Sequence, residues 1–582
     1  MDDAPVLGDA AQAPPDRRDS RAALDTTGEA AMQSTLGPQP PGPRVGRFEY
    51  KWVALAVVLC GTIMTILDAT VVNVALPTLQ STFHSGSYND ISWVVTGYLL
   101  AQGAVIPVTG WITDRFGTKR VYLLTLFLFT LASALCGLAW NLPALIVFRV
   151  LQGIGGGMIM PIGMTIILRA VGPSQMGRVM GIFGVPMLLA PAVGPVLGGW
   201  LVQDFTWRLI FYVNLPVGVI ALVAASRLLR DTPFSHTMKL DWIGFLLGTP
   251  AVIAVMYAVD RSTALGWTSP TVLTLLIVAA ALFVAFLYRQ RTAEEPLLHL
   301  ELFRDSTFSW SIVLGFVLVT ALFGVMLLLP LYLQEVHGYD ALHTGLMLMP
   351  QAATAALFMP VGGFLTDRIG PKPTVTFGLC VLLVAGVLLA QLHVDSPVAL
   401  VIAALALRGM AMGFAMMPGM SAGLARIPPH LTSRASSITN TAQRVGSSIG
   451  IAILVTVLSA QVGTAAAQAS CNPSPQVLAS PVLHRIVGAP PSAQLSADQV
   501  CSALRTRAAG SSQQETSQTA PPKTGDPQVD AFVKSFGDDT LTIAFDRAFA
   551  FTAIVAALGF IPAFFLRKPE AAGRTAGAVE AI

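Results

Sequence analysis

Gly110-Trp111-Ile112-Thr113-Asp114-Arg115-Phe116-Gly117-Thr118-Lys119 is answered far down the chain by Gly363-Phe364-Leu365-Thr366-Asp367-Arg368-Ile369-Gly370-Pro371-Lys372, with Gly, Asp, Arg, Gly and Lys at the same offsets. Each copy follows one long apolar run and precedes another, so each reads as a short polar turn between two membrane-spanning helices. Chance is a poor explanation for such a match at equivalent places. A duplicated half related by an axis along the membrane normal fits, which is the parallel-repeat layout of many transporters. The copies fall after the second and the tenth apolar run, so the repeat is eight helices long where six would suffice. The pair between Trp242 and Tyr288 is the natural insertion and gives a six-plus-two-plus-six plan.

The apolar runs follow from composition. Of 582 residues 54% are apolar and only 12% charged, so the bilayer is the main solvent. A hydrocarbon core of roughly 30 Å needs about 20 apolar residues per helical crossing. Runs of that kind are read at 53–76, 92–112, 121–140, 143–168, 178–202, 208–228, 242–259, 271–288, 308–333, 344–365, 374–391, 397–418, 436–458 and 546–566, fourteen in all. Cytoplasmic loops collect Lys and Arg. With the N-terminus inside, the inner loops hold Arg115, Lys119, Arg120, Arg169, Arg178, Arg227, Arg230, Lys239, Arg289, Arg291, Arg304, Arg368, Lys372, Arg426 and Arg434, against Arg208 and Arg261 in the short outer loops. One missed helix would invert the bias downstream of it. Both termini are therefore expected in the cytoplasm, the last carrying Arg567, Lys568 and Arg574.

The expected order is a disordered cytoplasmic tail over 1–47, a six-helix bundle over 48–230, two additional helices over 241–290, five further helices over 305–459, a long extracytoplasmic loop over 460–540, a last helix over 541–566 and a tail over 567–582. The first tail lacks the short apolar core and cleavage site of a signal peptide, so the first long run is expected to be the first span. In the long outer loop, Cys471 and Cys501 lie in an oxidising compartment and are either bridged or free thiols. Cys60, Cys136 and Cys380 fall in apolar runs and read as small buried hydrophobes. No spacing suits a metal. A net charge of +3 without basic runs argues against nucleic acid as a partner.

The loop pattern Gly-x-x-x-Asp-Arg-x-Gly-x-Lys resembles the signature of the major facilitator superfamily, and the fourteen-helix plan resembles its EmrB/QacA-type drug:proton antiporters. Further stretches are similar to that family: Leu67-Asp68-Ala69-Thr70-Val71-Val72-Asn73-Val74-Ala75-Leu76-Pro77 to its first helix, Arg149-Val150-Leu151-Gln152-Gly153 to its fourth, and Trp207-Arg208 with Asn214-Leu215-Pro216 to its sixth. Pro191-Ala192-Val193-Gly194-Pro195-Val196-Leu197-Gly198-Gly199 resembles the fifth-helix motif associated with antiporters. In the thirteenth run, Asn440-Thr441-Ala442-Gln443-Arg444-Val445-Gly446 carries Gln and Arg in the reverse of the family's order. The resemblance implies an all-α polytopic membrane protein with the major facilitator fold, two six-helix bundles plus two inserted helices. It also implies export of small molecules driven by the proton gradient, with no other cofactor.

Charges at membrane depth are costly, so each is a functional candidate. Asp68 lies about 12 Å below the outer end of its run and Arg149 about 10 Å below its own, at 1.5 Å per residue. At matching depth they either form a relay that exchanges a proton or a salt bridge that locks two helices. Arg444 either meets backbone carbonyls or binds an anionic substrate group. Asn73, Asn214 and Gln443 join it as candidates for a substrate cavity. Gly110, Asp114, Arg115, Gly117, Lys119 and their repeats Gly363, Asp367, Arg368, Gly370, Lys372 are expected to tie loops to helix ends and gate the path. Pro191, Gly194, Pro195, Gly198 and Gly199 read as a hinge or seal, since small residues allow close helix approach.

Three classes of function follow. The first is proton-coupled export of amphipathic drugs or similar molecules from the cytoplasmic membrane. The second is export of an endogenous lipid, peptide or metabolite. The third, a membrane enzyme or sensor, has against it the lack of a nucleotide-binding glycine loop, a metal spacing or a soluble catalytic domain.

Overall fold

The computed structural model describes residues 44–45, 48–83, 88–171, 175–231, 239–339, 341–392, 396–468, 471, 473, 478, 480, 483, 495–511 and 527–567. The expected tails over 1–47 and 567–582 therefore lie almost wholly outside the described residues. The chain divides into two units at Tyr50. In the first unit, β1 (Arg44–Val45) and β2 (Phe48–Glu49) pair antiparallel.

The second unit is helical. Its helices are α1 (Tyr50–Thr82), α2 (Tyr88–Phe116), α3 (Thr118–Gly137), α4 (Leu142–Ala170), α5 (Met176–Asp204), α6 (Leu209–Leu228), α7 (Trp242–Leu265), α8 (Pro270–Thr292), α9 (Ser306–Glu335), α10 (Ala341–Ile369), α11 (Pro371–Leu389), α12 (Val398–Leu424), α13 (Thr432–Gln468) and α14 (Pro527–Leu558). Thirteen are long and apolar enough, as described, to cross a membrane. The fourteenth is α9, whose 30 residues reach about 45 Å at 1.5 Å each.

Helix starts follow local chemistry. Asn141 accepts from the Ala144 N–H at 2.8 Å, Asp241 from Gly244 at 3.0 Å and Asp305 from Phe308 at 2.9 Å, which satisfies donors that a first turn leaves open. The turns from α2 to α3 and from α10 to α11 each need a left-handed residue, supplied by Gly117 (φ 89°) and Gly370 (φ 95°). The second glycine of the repeated motif is thus a conformational requirement in both copies.

The repeat is visible in the packing. α4 lies on α2 and α3, as α12 lies on α10 and α11. The two halves meet along two seams, α10 on α5 and α2 on α13. A period of eight exchanges these seams, since α2 corresponds to α10 and α5 to α13.

Two boundaries differ from expectation. α13 continues to Gln468 and α14 begins at Pro527, so the long loop is shorter than 460–540 and the last helix longer than 541–566. At 37 residues α13 is about 55 Å long, well beyond a hydrocarbon core of roughly 30 Å. Asp530, Lys534, Asp538 and Asp539 make the start of α14 too polar to read as a span. Its other face, Val529 and Phe536, packs with Ala466, Leu483, Val500 and Leu504 as a small core of its own. The helix Ala497–Ser511 belongs to that core, and Cys471 and Cys501 are joined there as a disulfide with Cα atoms 5.9 Å apart.

The inserted pair α7–α8 does not stand apart from the bundles. α7 packs on α2 and α13. Thr249 Oγ1 donates to the Ala104 carbonyl at 3.2 Å, the Trp93 and Tyr257 rings lie 5.9 Å apart, and Trp267 Nε1 donates to Thr456 Oγ1 at 2.6 Å. The hairpin therefore covers the α2–α13 seam, touching both halves, while α8 exposes Ile277 and Val284 as lipid-facing positions require.

Candidate functional site

Asp68 sits mid-helix on α1, 1% exposed, and is held by three side chains. Its Oδ2 accepts from Arg149 Nη1 at 2.7 Å, and its Oδ1 accepts from Gln152 Nε2 and Asn214 Nδ2, each at 2.9 Å. α4 places Arg149 and Gln152 on one face because they are three residues apart. Arg149 Nη1 also donates to Gln152 Oε1 at 2.8 Å, and its Nε donates to the Val94 carbonyl at 3.1 Å. The guanidinium lies 3.9 Å from the Tyr98 ring centroid, and its Nη2 has no hydrogen-bond partner among the described residues. Asn214 donates in turn to Ser133 Oγ at 3.1 Å, and Ser133 donates to the Phe211 carbonyl at 2.8 Å. One carboxylate thus collects α1, α4 and α6, with α3 behind. In low dielectric such a pair is stable only when every partner is present, and removing one partner costs about 3–5 kcal/mol.

The expected pairing of Asp68 with Arg149 is in place, and Asn214 belongs to the same cluster rather than to a separate cavity. Asn73 does not. Five residues beyond Asp68, it is turned about 140° around α1 and exposed. Gln443 is partly buried with Nε2 3.4 Å from Met420 Sδ. Arg444, also partly buried, lies within electrostatic range of the Tyr98 hydroxyl. Gln152, Ser133 and Tyr98 had no assigned role from sequence, although Gln152 stands in the quoted fourth-helix stretch. Arg408 on α12, 2% exposed, was readable as a charge inside an apolar run.

The repeated loops form the second part of the site. Asp114 accepts from Ser433 Oγ at 2.5 Å and from Arg434 Nε and Arg169 Nη2, both at 3.4 Å. Asp367 accepts from the backbone N–H groups of Gly177 at 2.8 Å and Arg178 at 3.0 Å. Each aspartate therefore meets the first turn of a helix from the opposite half, α13 for Asp114 and α5 for Asp367, where helix polarity favours negative charge. The first motif glycine permits this approach. A Cβ on Gly363 would stand 2.0 Å from the Gly177 carbonyl oxygen, and one on Gly110 3.1 Å from Arg434 Cα. Arg115 lies 6.0 Å from the Phe116 ring, Arg368 4.5 Å from Phe364 and Lys372 3.7 Å from Phe564, while Lys119 is partly exposed at the start of α3. At this end both seams are closed.

Arg434 also reaches the connection before α9. Its Nη1 donates to the Pro296 carbonyl and to His299 Nδ1 at 2.8 Å, which requires an unprotonated Nδ1. Burial and the neighbouring Arg434 hold the His299 imidazole below its ordinary range, against opposing pulls from Glu301 and Asp114. Asp305 is pushed up by burial, but the Phe308 N–H and the Arg426 guanidinium outweigh this and hold it below the usual carboxylate range.

On α5 the glycines work at close quarters. A Cβ on Gly194 would lie 2.0 Å from Thr70 Oγ1, and one on Gly198 3.0 Å from the Val71 carbonyl, so α1 is drawn against α5 just beyond Asp68. Gly199 has nothing within 4 Å and is not required for packing. Pro191 is buried and Pro195 partly so, both inside an unbroken helix.

A twice-repeated helical bundle with a buried ion pair in one half and mirrored caps between the halves defines a multi-pass membrane transporter rather than an enzyme. The chain belongs to the Major Facilitator Superfamily, whose model matches residues 58–451. It is 39% identical over 411 residues to the "Multidrug resistance protein B homolog" of Mycobacterium tuberculosis, covering 70% of this chain and 76% of that one. To the "Uncharacterized MFS-type transporter YhcA" of Bacillus subtilis it is 36% identical over 403 residues, covering 69% and 76%. The "Multidrug transporter protein MdtP" of Bacillus subtilis is 30% identical over 422 residues, covering 72% and 77%. Among solved structures, the human organic anion transporter MFSD10 aligns at a TM-score of 0.51 and 17% identity, over 72% of this chain and 94% of that one, which bears on the fold alone.

Proposed function

We propose that this protein is a proton-coupled antiporter that exports amphipathic small molecules across the cell membrane, with both termini and the repeated loops in the cytoplasm. The observation that carries the reading is Asp68, a carboxylate buried at membrane depth and bonded to Arg149, Gln152 and Asn214. Protonating it removes the charge that draws α4 and α6 to α1, so one proton is tied to the packing of the first half. The seams at Asp114 and Asp367 close the cytoplasmic side, and transport requires them to open in turn. The Lys and Arg bias of the loops supports the orientation, and the relatives named as multidrug transporters support export of drug-like molecules.

The test is proton movement on substrate addition. In vesicles carrying the purified protein and a trapped pH dye, amphipathic dyes of each charge type are added against an imposed pH gradient. A transported dye should dissipate the gradient. Transport of a dye with no accompanying proton flux would contradict antiport.

A further inference from the structure

Among the described residues, three guanidiniums, Arg149, Arg408 and Arg444, and the carboxylate of Asp68 stand deep within the spanning helices. Asp68 and Arg149 cancel one another. Arg408 is 2% exposed and donates through Nη2 to the Ala321 carbonyl at 2.7 Å and the Leu322 carbonyl at 3.1 Å on α9, with Nε unpartnered among the described residues. Arg444 on α13 has no carboxylate at salt-bridge distance among the described residues and remains partly exposed. One carboxylate against three cations leaves this region at +2. Asp260, near the end of α7, and Asp546, on α14, stand outside this group of four.

On α13, the side chains next to Arg444 reach methionines. Gln443 points its amide nitrogen at Met420 Sδ, and Asn440 Nδ2 lies 3.9 Å from Met164 Sδ. Methionine surfaces accept varied apolar bodies, and a guanidinium binds a carboxylate or sulfonate through two parallel hydrogen bonds. Among the described residues no carboxylate lies at salt-bridge distance from Arg444 to hold a cation there, Asp68 already accepts from three donors, and the excess positive charge repels a cationic molecule.

We propose that the substrates are amphipathic anions, with the carboxylate or sulfonate received by Arg444 and the apolar body lying against Met164 and Met420, which meet its α13 neighbours Asn440 and Gln443. This rests on the exporter reading and narrows it to one charge class.

The test uses the full chain in lipid nanodiscs and three probes that share a pyrene body: pyrenebutyrate, its neutral amide, and the matching trimethylammonium. The carboxylate should bind at least about tenfold more tightly than the amide, as a charge-assisted hydrogen bond implies, and the ammonium most weakly. Arg444→Gln should bring the carboxylate down to the amide and leave the amide unchanged, while Arg444→Lys should keep part of the preference. Tightest binding of the ammonium, or unchanged carboxylate affinity in Arg444→Gln, would overturn the proposal. In vesicles with a pH gradient the two readings separate. Gradient-driven movement of the ammonium probe that survives Arg444→Gln removes the anion site and keeps the exporter. Arg444-dependent anion binding with no probe transported removes the exporter and keeps the site.

Discussion

Asp68 is understood through its three donors rather than through its depth alone. Arg149 supplies both charge and direction: its fork reaches Asp68, Gln152 and the Val94 carbonyl at once, which a lysine ammonium on a flexible stem cannot reproduce. Arg149→Lys should therefore insert and fold yet lose most transport, whereas Arg149→Leu leaves a buried carboxylate uncompensated and should lower stability by about 3–5 kcal/mol. Thermal unfolding of the purified variants beside vesicle transport distinguishes the two. The pair was legible in sequence because both residues are charges inside apolar runs at matching depth. Gln152 and Asn214 were not legible as its partners, since an uncharged amide in an apolar helix reads as easily as interhelical glue, and the contacts join residues 84 and 146 positions apart.

At the scale of helices, the repeated motif divides its labour. The second glycine of each copy makes a left-handed turn, the aspartate meets a helix of the opposite half, and the first glycine lets the backbones touch. Gly363→Val would press on the Gly177 carbonyl and should abolish transport while leaving insertion intact. Gly199→Ala, with open space around it, should transport at the wild-type rate. Equal loss in both variants would show that the glycines act through helix stability and not through the seam. The turn chemistry could be read from sequence, because Gly in a short polar connection has few other reasons to recur. The partners of Asp114 and Asp367 could not, lying 319 and 190 residues away. The length of α13 and α14 was hidden for a different reason: α13 runs on past Leu458 through uncharged but polar Ser459, Gln461, Thr464 and Gln468, and α14 starts with Asp530, Lys534, Asp538 and Asp539, so an apolar-run reading stops short in both.

For the molecule as a whole, the contact of His299 with Arg434 predicts that the closed end responds to pH. While the connection before α9 is docked, the imidazole accepts from Arg434 and is held below its ordinary range. Released, it regains that range, so between the lowered value and about 6.5 the released form binds more protons. Acidifying the solution at this end through that window should favour release, with Arg434, Asp114, Glu301 and His430 the charged groups facing it. Spin-label distances between the ends of α2 and α13 should lengthen as pH falls in the wild type and stay constant in His299→Gln, which keeps an acceptor and cannot titrate. Identical lengthening in both would place the pH response elsewhere. The orientation carries its own check. Cys471 and Cys501, after reduction, should react with an impermeant maleimide in intact cells, and labelling only after lysis would invert the membrane sidedness.

The claim on which the rest depends is that proton entry is exchanged at Asp68. Asp68→Asn keeps the shape of the side chain and removes its titration, and Asp68→Glu keeps the carboxylate on a longer arm. With the purified proteins in vesicles and a pH gradient as the sole driving force, the wild type should accumulate substrate against its gradient, Asp68→Glu should retain part of that activity, and Asp68→Asn should accumulate none while still folding. Accumulation by Asp68→Asn under the same gradient would contradict the account and leave Asp68 as a structural partner of Arg149.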